Sequence, residues 1–86
     1  MIGLPTIHLN GTGAKTLLAG YEAAYDALIA FREKLRAIEF NSRDYYVDGP
    51  ESWEAACDAR CKINQKVNDA ETYLITHLMH INDQTK

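Results

Sequence analysis

Two spacings of apolar residues divide this chain. Ile2 and Leu4, then Ile7 and Leu9, sit two apart, the mark of an extended segment, and Pro5 confines that segment to an edge or an arm. From Thr12 onward the spacing is helical. Leu17, Tyr21, Ala24, Leu28, Phe31, Leu35 and Ile38 recur at alternating intervals of four and three, which predicts an amphipathic helix packed at coiled-coil angles. Leu18, Tyr25 and Ile29 widen the stripe on its flanks. Thr12 is the expected N-cap, and Arg32, Lys34 and Arg36 gather where the helix dipole favours cations, so the helix is placed at about 13–39.

A second helical pattern begins after a connection over 40–49. Asp48-Gly49-Pro50-Glu51 joins a capping residue, a proline suited to a first turn and an acid, and starts a helix over about 50–82. Its seam reads Trp53, Ala56, Arg60, Ile63, Val67, Ala70, Leu74, His77 and Ile81, with Asp58 and Lys62 as an i,i+4 pair outside it. The terminal Asn-Asp-Gln-Thr-Lys is expected to fray. The expected fold is all-α: an antiparallel two-helix hairpin with a short extended N-terminal arm, residues 1–11. The first helix carries a stripe wider than one partner helix covers, so the hairpins are expected to assemble as an oligomeric helical bundle. The arm either docks loosely or pairs as a strand with a second copy.

Length and charge narrow the function classes. A chain of 86 residues makes one domain, and so small a core commonly leans on oligomerisation. Nine basic against twelve acidic residues argue against holding duplex nucleic acid through a general field. A small anionic ligand needs only two or three placed cations. No run of about 18 apolar residues predicts a membrane span, and the N-terminus lacks a secretory pattern. Cys57 and Cys61, four apart on one predicted helix, suit a reducing cytoplasm rather than a disulfide framework.

Catalytic and metal chemistry find little footing. Gly11-Thr12-Gly13-Ala14-Lys15-Thr16 resembles a phosphate loop, but Ala14 separates Gly13 from Lys15 and no buried strand precedes it. Lys15 beside free N–H groups of a helix start remains an outlying anion contact. The Cys57/Cys61 and His77/His80 pairs lie about 24 Å apart along one helix, so a single chain does not gather them around zinc. No nucleophile–base set or carboxylate pair in apolar surroundings is readable, and the expectation is a protein that is no enzyme and carries no cofactor or metal. The connection is the unusual part. Arg43, Tyr45 and Tyr46, with Arg60 at a seam position that favours apolar residues, suit a nucleotide-like ligand: guanidinium for phosphate, rings for a base. The plainer alternative has the tyrosines packing over the hairpin end and the arginines pairing with Asp44, Glu51 or Glu54.

Ile7-His8-Leu9-Asn10-Gly11-Thr12, followed by a Leu- and Tyr-bearing helix, then Asn41-x-Arg43-Asp44-Tyr45-Tyr46 with Gly49-Pro50, resembles a group of small tailed-phage open reading frames over about residues 6–80. The resemblance implies a phage protein made in the host bacterial cytoplasm, and by analogy of size and setting a counter-defence role. On that reading it is a homo-oligomer that sequesters a small anionic, nucleotide-like ligand. The competing expectation is an interaction module that blocks a host or phage protein through an apolar helical face.

Overall fold

In the computed structural model, which describes residues 3–85, the chain is an antiparallel helical hairpin. Helix α1 spans Ala14–Ala37 and helix α2 spans Pro50–Gln84, joined through two 3-10 turns, Ser42–Asp44 and Tyr46–Asp48. There is no strand among the described residues. The hairpin is long and thin, 61 × 25 × 18 Å, with a radius of gyration of 18.6 Å where a compact chain of this length has about 12 Å.

The helix ends correct the expected ones. The N-cap of α1 is Gly13, in extended conformation and without a side-chain cap, so Thr12 does not cap it. The helix stops at Ala37, two residues early, where Ile38 turns extended and its N–H bonds back to the Leu35 carbonyl. At α2 the N-cap is Gly49, not Asp48. Its φ of 99° lies in the left-handed region that glycine enters without a Cβ penalty, and Pro50 follows at the first position. The C-terminal end does not fray where expected: α2 continues through Gln84.

The reason is the arm. The Gln84 side chain accepts from the Ile7 N–H at 2.8 Å and donates to the Pro5 carbonyl at 3.1 Å, pairing with the arm as a neighbouring strand would. His80 Nε2 lies 2.9 Å from the same carbonyl and must carry the proton, since a carbonyl only accepts. His80 is therefore half-buried under the arm. These contacts dock the arm on its own chain.

Close packing concentrates at this end. Val67, His77 and Ile81 are the buried residues of α2, and Ile81 is fully buried. His77 is the polar member. Its ring stacks on Tyr21 (centroids 4.9 Å apart) and lies against Tyr73 (4.1 Å), while Nδ1 donates to the Tyr73 carbonyl at 2.8 Å. A buried imidazole with its donor satisfied avoids the desolvation cost of an orphan. Burial raises the Tyr21 phenol above its ordinary pKa, and the neighbouring Tyr73 pushes in the same direction. The α2 seam follows the predicted row closely. That of α1 is rotated: Arg32 turns inward, whereas Ala24, Phe31 and Ile38 are exposed. Asp58 and Lys62 form the expected surface pair at 2.9 Å.

Candidate anion-binding cleft

Towards the hairpin connection, polar side chains from both helices line a cleft along one side of the seam. On α1, Arg32 and Arg36 stand four residues apart and so share a face. On α2, Arg60, Asn64 and Asn68 repeat the same interval. The antiparallel arrangement sets the rows opposite one another around a cleft of about 270 Å³, floored by Leu35 and Val67.

The electrostatics of this cleft differ from those of the whole chain, whose net charge is -3. Arg32 is anchored: Nη2 donates to Glu71 Oε1 at 2.8 Å and to Asn68 Oδ1 at 3.2 Å. The hydrogen bond from Arg32 holds the Glu71 carboxyl below the usual carboxylate range and raises the guanidinium in turn. Arg60 has no carboxylate partner among the described residues. Its Nη1 donates to the Leu35 carbonyl at 3.4 Å, near the electronegative end of α1, and its guanidinium lies 4.4 Å from the Phe40 ring centre. Arg36 is exposed and likewise has no carboxylate partner among the described residues. The cleft thus holds cations in excess, flanked by carboxamides.

Beside it the connection closes over an aromatic cluster. Phe40 lies 4.8 Å from Trp53 and 5.8 Å from Tyr45, and Tyr45 lies 5.6 Å from Trp53, centroid to centroid. A hollow of about 310 Å³ runs along Phe40, Tyr45, Ala56, Ala59, Arg60 and Ile63, so Arg60 borders both spaces.

Of the residues singled out in the sequence, Tyr45 and Arg60 come together around Phe40. Arg43 and Tyr46 are exposed on the connection and do not line the cleft. Lys15, at the start of α1, lies at the opposite end of the hairpin, about 31 Å along the helix from Arg36. Arg60 stacks on a ring instead of pairing with an acid. Arg32 and Arg36 were expected only as cations suited to the end of the first helix, and Asn64 and Asn68 were not singled out. The signal was their common interval of four on helices that run antiparallel. Both thiols are exposed, and no group of three or more metal-ligating side chains occurs among the described residues. Among the described residues no helix is long and apolar enough to cross a membrane. Comparison with known proteins returns no matching family model, no matching curated protein and no matching solved structure.

Proposed function

We propose that this chain is a non-enzymatic binding protein that captures a small phosphate-bearing, nucleotide-like anion in the cleft between α1 and α2. The observation that carries the reading is the convergence of Arg32, Arg36 and Arg60 on one cleft with a single carboxylate, Glu71, against them. Guanidinium groups meet phosphate oxygens with two parallel N–H donors, and Asn64 and Asn68 add carboxamide contacts. The hollow beside Phe40 and Tyr45 offers rings to a base. Binding is favoured over turnover by the chemistry of the lining. Guanidinium and carboxamide do not exchange protons near neutral pH, and Glu71 is tied to Arg32. Sequestration of this kind fits the counter-defence role that the phage resemblance implies.

The test is calorimetry with inorganic pyrophosphate and a nucleoside diphosphate, beside native mass spectrometry of protein purified from expressing bacteria. Wild type binds, and Arg36→Ala and Arg60→Ala each weaken binding about ten- to a hundredfold, as losing a charge-assisted contact of about 1.5–3 kcal/mol requires. No retained small molecule and no heat with either probe refutes the reading. The second reading, a module that blocks another protein, draws on exposed Phe31 and Ile38. It requires a partner lost on Phe31→Glu whether or not the arginines are intact.

A further inference from the structure

One side of the hairpin is apolar along most of its length. On α1, Gly20, Ala24, Ala27 and Phe31 fall on one heptad-spaced row, all exposed, with Phe31 at 49%, and Ile38, just past the helix end, is 55% exposed. On α2 the row facing the same way carries the exposed Ile63 and Tyr73. Between the rows runs a shallow groove of about 290 Å³ bordered by Leu17, Gly20, Ala24 and Leu74. By helical periodicity the carboxylates of α1 fall away from this side, and of those on α2 only Asp69, three residues after Lys66 and four before Tyr73, borders it; Lys34, Lys62 and Lys66 are its cations. The arginine cleft opens on the other side.

We propose that this face docks against a second copy of the chain, packing two hairpins into a helical bundle. Area identifies the occupant. The chain exposes 6570 Å², while a compact folded monomer of 9.7 kDa exposes about 5,100 Å². The excess of about 1,500 Å² is within the range each partner of a stable homodimer covers. The side chains fit the same occupant. Gly20, Ala24 and Ala27 let a helix approach closely, and Phe31 and Ile38 supply bulk beside them. A two-fold axis through this face leaves both arginine clefts open to solvent. This inference stands apart from the ligand reading, because its evidence is the opposite side of the hairpin.

Light scattering at tens of micromolar tests it. Wild type gives at least twice the 9.7 kDa chain mass. Ala24→Glu and Phe31→Glu bring the mass down to that of one chain. Met79→Glu, exposed on the other side beside Leu18 and Asn82, leaves the wild-type mass unchanged. A monomeric wild type that unfolds cooperatively at every concentration overturns the proposal, including where a different protein is captured on this face. So does dissociation by Met79→Glu, or an assembly that survives both Ala24→Glu and Phe31→Glu. Should the glutamate variants unfold, a nitroxide at Ala27→Cys in a Cys57→Ser, Cys61→Ser background decides. Intermolecular spectral broadening there and not at Glu22→Cys supports the proposal; broadening only at Glu22→Cys, equal broadening at both sites, or none at either, overturns it.

Discussion

Replacing Ile81 by Ala tests where the stability of the hairpin resides. Ile81 is fully buried, one turn beyond the stacked His77, and flanked by the two residues that hold the arm, His80 and Gln84. The substitution removes three carbons. At about 0.8 kcal/mol each the transfer term is about 2.4 kcal/mol, and an incompletely collapsed cavity brings the total to about 2.5–4 kcal/mol. Chains of this length have about 4–13 kcal/mol in all, so the loss is a large share. At 4–8 °C per kcal/mol the melting temperature falls by roughly 10–30 °C. Met79 lies two positions away on the same helix but is 62% exposed, and Met79→Ala changes stability by less than about 0.5 kcal/mol. The assay is thermal unfolding by circular dichroism, with protein concentration held fixed because the proposed self-association would couple to stability. Equal melting temperatures for Ile81→Ala and Met79→Ala refute the reasoning, since they put the stabilising contacts away from this end.

Three further outcomes are expected. The folded-state pKa of Glu71 is depressed, chiefly by its hydrogen bond with Arg32, so its contribution is present above the unfolded carboxylate value of about 4.3 and is lost as pH falls through the folded one. Thermal melts below pH 5 should therefore fall less steeply for Glu71→Gln than for wild type, and identical slopes refute the coupling. Gln84→Ala removes two arm contacts, each worth roughly 0.5–1.5 kcal/mol, so the Ile7 amide should exchange with solvent several-fold to tens-fold faster by NMR; unchanged protection places the arm's anchor elsewhere. Tyr45→Ala should lower stability by about 1–3 kcal/mol, because its ring packs on Phe40 and Trp53, while Arg43→Ala leaves the melting temperature unaltered; the reverse order contradicts the aromatic cluster.

What the apolar pattern made legible follows from how strongly each element depends on local sequence. Heptad spacing identified both helices and their antiparallel pairing, and the α2 seam from Trp53 to Ile81 packs almost as read. The rotation of α1 was not legible, because its stripe is broad enough to offer several facing directions. Pairing of Arg32 with Glu71, 39 residues away, selects among them. The arm's docking was equally hidden. It depends on Gln84 and His80 meeting a carbonyl 79 and 75 residues distant, and a polar residue near a C-terminus has no distinctive spacing. Thr12 has the composition of a cap, yet the chain turns into the helix one residue later, at Gly13. For the site, Arg60 stood out as a charge in an apolar row, whereas Arg36, Asn64 and Asn68 are indistinguishable in sequence from ordinary solvated positions. Only the apposition of two helices makes them a cleft.

The same apposition explains why the hairpin is lopsided. A two-helix chain has one shared seam and two lateral sides. Uniformly polar sides would leave Val67, His77 and Ile81 as nearly all the buried stabilisation, against a conformational entropy cost of about 1–2 kcal/mol for each ordered residue. Uniformly apolar sides would leave no limit on association. Here the chemistry is divided. The side bearing Gly20, Ala24 and Phe31 has mainly small and apolar surface, while the side bearing Arg36, Arg60, Asn64 and Asn68 has cations and amides over a small apolar floor. Covering the first side with a second hairpin adds the missing core and fixes both helices in place. The arginines opposite are then carried on rigid elements, which a site for a small anion needs in order to lose little entropy on binding. On the two proposals the roles are separable: a charge placed at Phe31 would act on assembly, and one removed at Arg36 would act on anion binding. A variant of Arg36 that dissociates the assembly without lowering anion affinity contradicts this division.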